Sequence, residues 1–461
     1  MIGIMNGMVM QRNADDLSEI TIYTENKIDN VPYYTSTNGI NYPLVIKEIP
    51  EEKNAYILSG IPVGGPYELY IENEHFTDIY VGDLWLLAGQ SNMEGVGACT
   101  KDDLNFNRNP EIRNLEMKNQ WEAATPIIHK TYDTYDKVHT DVLGATRANS
   151  EHYINNRCVG PGYFFAESMN KYERVPQGLI PCAHGGTTMD QWSPDGRDLG
   201  GDKSLYGAMY RRFKANGSHV RGMFWYQGCS ETNPRDKLVY EEKMLNFVKS
   251  VRSDFGKNLP IVQVQIGHVY TTVPFPIGDN NIDWNDVREI QRNLSCKIDN
   301  FTTAYVTSYT VDDTIHLSRN SQISLGKNAA ELMEALIHGR KPREIKVDIE
   351  NIHVEVDDFR GDFSKIIVPY INIDGLKAEP QPYGFCIYDD KEVKDYTKSI
   401  YTCRIEDNKV IIKTCLPPER FKQTEFSLYY CYGLNTICNL TDSEGFSVPA
   451  FGPVKLTKLT F

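Results

Sequence analysis

Between about Thr77 and His338 the chain alternates two textures that few folds can satisfy together. Short apolar runs at 84–88, 179–183, 222–226 and 261–265 are separated by helix-length amphipathic segments such as 240–255 and 324–337. A short continuous apolar run is a strand buried on both faces. Strands of that kind belong to parallel sheets covered by crossover helices. The alternation predicts an α/β domain. The flanks read differently. Up to about His75, Ile20-Thr21-Ile22-Tyr23 and Tyr67-Glu68-Leu69-Tyr70-Ile71 are strand-like pieces set between Gly, Pro and Asn punctuation. Past Lys341-Pro342-Arg343, which closes the last helix, strand patterns return at 409–413 and 426–430. With 461 residues, more than one core is expected. The predicted organisation is an N-terminal β-sandwich-like domain (1–76), an α/β domain with a parallel sheet (77–340) and a C-terminal β domain (341–461).

Charge and spacing remove several functional classes. The formal net charge of -14 opposes a phosphate backbone, so nucleic acid is not an expected partner. No apolar run reaches the roughly 18 residues of a membrane span, so no membrane partner is expected. The first thirteen residues lack a basic stretch followed by a long apolar one. No signal peptide is expected, and the expected location is cytoplasmic. Ten cysteines are scattered without a Cys-x-x-Cys pair, the closest being Cys431 and Cys438. That spacing predicts reduced thiols, no metal site and no cofactor.

Four strand ends carry chemistry. Gly89-Gln90-Ser91-Asn92-Met93 follows the apolar run ending at Ala88. Ligands bind just past the carboxyl ends of parallel strands, so Ser91 is a candidate nucleophile. The same turn also suits Ser91 or Asn92 as a helix N-cap. A serine nucleophile needs a base. Among ten histidines, His316 stands three residues after Asp313 in Asp312-Asp313-Thr314-Ile315-His316. A carboxylate at that spacing can fix the imidazole tautomer and stabilise its protonated form. An oxyanion needs donors. Ala183-His184-Gly185-Gly186-Thr187 offers backbone N–H groups, and Gln227 in Trp225-Tyr226-Gln227-Gly228 offers a side-chain amide.

This set resembles the sialate O-acetylesterase-type branch of the SGNH hydrolases, which also holds acetyl xylan esterases. The resemblance rests on Gly89 to Met93, on Gly185-Gly186-Thr187 with Trp192, on Trp225-Tyr226-Gln227-Gly228 and on Asp313 to His316. Val287-Arg288-Glu289-Ile290-Gln291 is similar to a further family segment, and Asn6 to Arg12 and Cys438 to Phe451 are similar to the family's two ends. The resemblance implies a three-layer α/β/α catalytic domain and a Ser91, His316, Asp313 triad. It also implies an oxyanion hole from the Ser91 N–H, the Gly186 (or Gly185) N–H and Gln227. Gln90, Trp192 and Tyr226 are the expected substrate-binding residues. One position departs from the pattern: Cys229 stands where the family usually has Glu, with Glu231 two residues on.

The expected partner is an acetylated carbohydrate, with hemicellulose oligosaccharides first and O-acetylated sialic acid second. A silent carbohydrate-binding protein is the rival of another class. The presence of every triad and oxyanion residue favours the enzyme. Lipid esters are disfavoured because no large apolar lid segment is present.

Overall fold

One strand of sixteen residues, Glu74–Gly89, organises the first half of the chain. Its exposed first turns pair antiparallel with Gly64–Ile71. From Ile79 onward every residue is buried, and this portion pairs parallel with Gln177–Pro181 and Gly222–Tyr226. The strand Val9–Gln11 also runs parallel beside it, Met10 opposite Val81. A single strand therefore crosses 76/77, where the sequence reading puts a domain boundary. Its polar first part alternates like an edge hairpin, and its apolar second part reads as a buried core strand.

The computed structural model describes residues 1–131, 133–141, 157–271 and 280–460. It falls into two compact units. The first comprises Met1–Gln227, Glu242–Val262 and Gly326–Arg340. The second comprises Gly228–Glu241, Gln263–Leu325 and Lys341–Phe461.

In the first unit the sheet order is Trp121–Ala123, Ile112–Leu115, Gln177–Pro181, Glu74–Gly89, Gly222–Tyr226 and then the strand beginning at Ile261. Successive side chains of a strand point to opposite faces, and both faces here are covered. Phe224 packs on Phe165 of the helix Gly162–Glu173, with ring centroids 5.4 Å apart, whereas Trp225 packs on Phe247 at 4.4 Å. This is the α/β/α layering that the apolar runs predict. Before it comes a small antiparallel sheet of Leu17–Tyr23, Ala55–Pro62 and Val45–Glu48, and the pair Tyr33–Thr35 with Asn41–Pro43 joins the main sheet through Gly64–Ile71.

In the second unit the C-terminal segment forms two sheets, antiparallel except where Leu459–Thr460 adds parallel to His353–Val356. One runs Ile400–Glu406, Lys409–Thr414, Ser364–Ile371, His353–Val356; the other runs Lys394–Asp395, Phe385–Asp389, Phe426–Tyr430, Phe451–Lys455. Val354, Ile366, Val368 and Ile412 of the first share one core with Phe385, Ile387, Leu428 and Val454 of the second. Among the described residues no helix is long and apolar enough to cross a membrane.

Phe224 is fully buried in the centre of the parallel sheet. Truncating a buried Phe costs about 3–5 kcal/mol through lost burial and the cavity left behind. Phe224→Ala is therefore expected to lower unfolding stability in urea by that amount. A loss under about 1 kcal/mol would mean that this contact is not part of the core.

Candidate active site

Gly89 ends the central strand with φ of +132°. A Cβ on it would lie 2.2 Å from the carbonyl oxygen of Tyr226, so only glycine fits there. The Gln90 N–H donates to that same oxygen at 2.7 Å. The chain thus leaves the strand pressed against the end of its neighbour and turns at once into a short helical turn, Ser91–Glu94. Gln90 is the N-cap and makes no side-chain cap bond. The capping role that the sequence allows for Ser91 or Asn92 is therefore not the one adopted. Ser91 is partly exposed, while Gln90, Asn92, Met93 and Glu94 are buried. The turn thus presents its serine and hides its neighbours.

The glycine-rich turn after Gln177–Pro181 is tied to the same place. His184 N–H donates to Gly89 O at 2.9 Å. Gly185 N–H donates to Glu94 Oε2 at 2.7 Å, which commits that donor to a carboxylate. Of the two glycines the sequence leaves open, Gly185 is thus engaged by Glu94; Gly186 follows it in the turn. It takes a left-handed φ of +75°.

Thr187 completes the arrangement. Its carbonyl accepts from Gln90 Nε2 at 2.7 Å and from Gln227 Nε2 at 3.3 Å. Its hydroxyl donates to His184 O and accepts from Trp192 Nε1. Glu94 and Thr187 carry this geometry, and the sequence reading assigned neither a role. The signal available was the position of Glu94, an acidic residue in the first turn of a helix that begins at the serine.

The three expected substrate-binding residues are placed differently from the expectation. Trp192 and Tyr226 are fully buried, so neither offers an aromatic face to a sugar ring. Trp192 lies edge-on to Trp225, 5.3 Å between centroids, and anchors Thr187. Gln90 is buried and spends its side chain on Thr187. All three hold the turn. Aromatic residues beside a site are as often packing as platform.

In the second unit, residues 310–318 form a tight loop. Asp312 N–H donates to His316 O at 2.9 Å, and Ser318 N–H donates to Thr310 O at 2.8 Å. Asp313 Oδ1 accepts from the Ile315 and His316 N–H groups, both at 2.8 Å. Its Oδ2 accepts from His316 Nδ1 at 2.7 Å. The Nδ1–H tautomer that this bond fixes makes Nε2 the proton-accepting nitrogen. Burial works to raise the Asp313 pKa, but the backbone donors and His316 outweigh it and hold the carboxyl below its usual range. By contrast, burial drives His129 down to about 3 and His139 well below the usual histidine range. Those two are neutral core histidines.

Burial first, then the Glu231 carboxylate, push the Cys229 thiol up to about 12. Glu231 is itself buried. Two groups in the described residues have metal-competent donors, His268 with Cys431 and Cys438, and Glu173 with Glu334 and His338. The second is an ion-pair network, with Arg12 on Glu173 at 2.7 Å and His338 on Glu173 at 2.8 Å. Neither includes a residue of the serine turn.

A family profile described as carbohydrate esterase, sialic acid-specific acetylesterase, matches residues 81–335. A protein of Arabidopsis thaliana named "probable carbohydrate esterase" is 30% identical over 270 residues, 54% of this chain and 88% of that one. Among solved structures, a carbohydrate acetylesterase from Xanthomonas citri aligns over 98% of both chains with a TM-score of 0.68 at 18% identity. That last likeness is one of fold.

Because Gly89 has no room for a Cβ, Gly89→Ala must push the serine turn off the neighbouring strand. The variant is expected to lose both stability and esterase turnover. A Gly89→Ala protein with wild-type melting temperature and rate would show that the close approach to Tyr226 is not needed.

Proposed function

This chain belongs to the sialic acid-specific acetylesterase family of carbohydrate esterases, and we propose on that premise that it removes acetyl groups from sugar hydroxyls with Ser91, His316 and Asp313 as its catalytic triad. As a member of that family it is a carboxylic ester hydrolase whose substrate is an acetylated carbohydrate. The observation that carries the triad is the Asp313–His316 bond through Nδ1, which dedicates Nε2 to proton transfer.

Ser91 Oγ attacks the acetyl carbonyl carbon while His316 Nε2 takes its proton. The carbonyl oxygen becomes an oxyanion, held by the Ser91 and Gly186 N–H groups and the Gln227 amide. The intermediate collapses, the sugar oxygen leaves, and His316 returns the proton to it. Acetyl-Ser91 remains. Water, deprotonated by His316, attacks the acetyl carbon; acetate leaves and Ser91 Oγ recovers its proton. Asp313 stays ionised throughout and stabilises the imidazolium.

For the sugar, we read a neutral O-acetylated hemicellulose oligosaccharide, supported by the net charge of -14, which gives no attraction for a sugar acid. The family description favours O-acetylated sialic acid as the second reading.

Three measurements follow from this reading. Ser91→Ala and His316→Ala are each expected to lower kcat on nitrophenyl acetate by roughly 10⁴-fold or more, and Gln227→Ala by about 10²-fold. Near-normal turnover by Ser91→Ala would remove it as nucleophile, and an inactive wild type would support the carbohydrate-binding rival. Turnover should also fall as pH drops, with a slope of one proton. Asp313 has a depressed pKa and stays charged through that range, so the single limb belongs to the imidazole; full activity at strongly acid pH would exclude a histidine base. Finally, acetylated xylo-, manno- and sialo-oligosaccharides can be followed together by mass spectrometry. Faster loss from the neutral sugars is expected. Faster loss from sialic acid would replace hemicellulose while leaving the mechanism intact.

A further inference from the structure

The spacing of the cysteines predicts no metal site, yet the fold of the second unit gathers three soft donors in one buried place. The strand Phe426–Tyr430 runs into Cys431, whose backbone is left-handed at φ +63°. Cys438 follows seven residues later, and His268 comes from a segment more than 160 residues earlier. His268 Nδ1 and the Sγ atoms of Cys431 and Cys438 all lie within 4.8 Å of one another, and all three residues are buried. Both cysteines are thiols and not a disulfide.

The imidazole is oriented as a ligand. His268 Nε2 donates to the Thr307 carbonyl at 2.5 Å, so Nδ1 carries the lone pair, and it faces Cys431 Sγ at 4.0 Å. A histidine whose far N–H is tied to a backbone carbonyl is the usual form of a metal-bound one. Tetrahedral binding at ordinary Zn–S and Zn–N lengths would need an N···S separation of roughly 3.6 Å. A small contraction reaches it.

Charge supports the same reading. The Arg288 guanidinium is 1% exposed. It donates to the carbonyls of Ile266, Gly267, Cys431 and Gly433. Among the described residues no carboxylate pairs with it. A buried cation is costly unless an anion lies near it, and a metal-bound cysteine supplies one. An approach also exists. A Cβ at Gly384 would lie 2.6 Å from Cys438 Sγ, and Gly384 and Ile437 line a cavity of about 380 Å³.

We propose that His268, Cys431 and Cys438 form a binding site for a thiophilic d¹⁰ metal ion, Cu⁺ or Zn²⁺, separate from the hydrolytic centre. Soft thiolates select these ions. With three protein donors, Zn²⁺ would need a fourth.

The test uses the full-length protein, reduced and stripped with a chelator. One arm titrates Cu⁺ without oxygen against a competing colorimetric chelator. The other titrates Co²⁺ as the coloured substitute for Zn²⁺. One equivalent is expected to bind in at least one arm, with a near-ultraviolet sulfur-to-metal charge-transfer band. The band is expected to vanish in Cys431→Ser and persist in Cys415→Ser, an exposed control. If Cys431→Ser fails to fold, Cys438→Ser and His268→Ala give the same readout. The proposal is overturned by a wild type with no such band for either ion, by a band that survives Cys431→Ser or disappears with Cys415→Ser, or by a Cys431–Cys438 disulfide in freshly purified protein. Esterase activity is not the readout, so the outcome is independent of the triad.

Discussion

The contact of Gly89 with the Tyr226 carbonyl sets the position of everything else in the first unit's site. A side chain at Gly89 has no room, so the central strand can end flush against Gly222–Tyr226. The Gln90 N–H then bonds the same carbonyl, and the chain has one way to turn. Ser91 becomes the exposed residue of that turn, and Glu94 reaches the Gly185 N–H. The turn after Gln177–Pro181 is fixed by that bond and by His184 on Gly89. Glu94 holds the Gly185 N–H, and the Thr187 carbonyl holds the Gln90 and Gln227 amides; donors fixed in advance in this way are what an oxyanion hole requires.

The parallel strands were legible because a strand buried on both faces holds few polar residues. Gly222–Tyr226 appears as an apolar run, and in Ile261–Val264 the polar Gln263 is satisfied by Gln291 O and Thr303 Oγ1. A break reads at 76/77 because Glu74–Gly89 changes environment along its length. Its start, up to Asp78, is exposed or partly exposed and the rest is buried, so one strand looks like two elements.

At the site, the chemistry-bearing residue types were legible and their division of labour was not. Trp192 and Tyr226 look like sugar platforms in sequence, but burial makes them packing. Gly185 and Gly186 look equivalent until Glu94 claims one of their N–H groups. Such pairings join residues about 90 positions apart, and no local pattern records them. His268 with Cys431 is the extreme case: the two meet across 163 positions, whereas metal motifs are recognised by short spacings. Cys229, the visible departure from the family pattern, has its thiol pushed up to about 12 by burial and by the Glu231 carboxylate.

The central claim is that Ser91 is the nucleophile. A fluorophosphonate reacts covalently with an activated serine, and peptide mass spectrometry locates the adduct. The account predicts one adduct per chain, on Ser91, formed as hydrolysis is lost and absent from His316→Ala. Complete inactivation with the adduct on another residue, or continued hydrolysis by protein fully modified at Ser91, would contradict it.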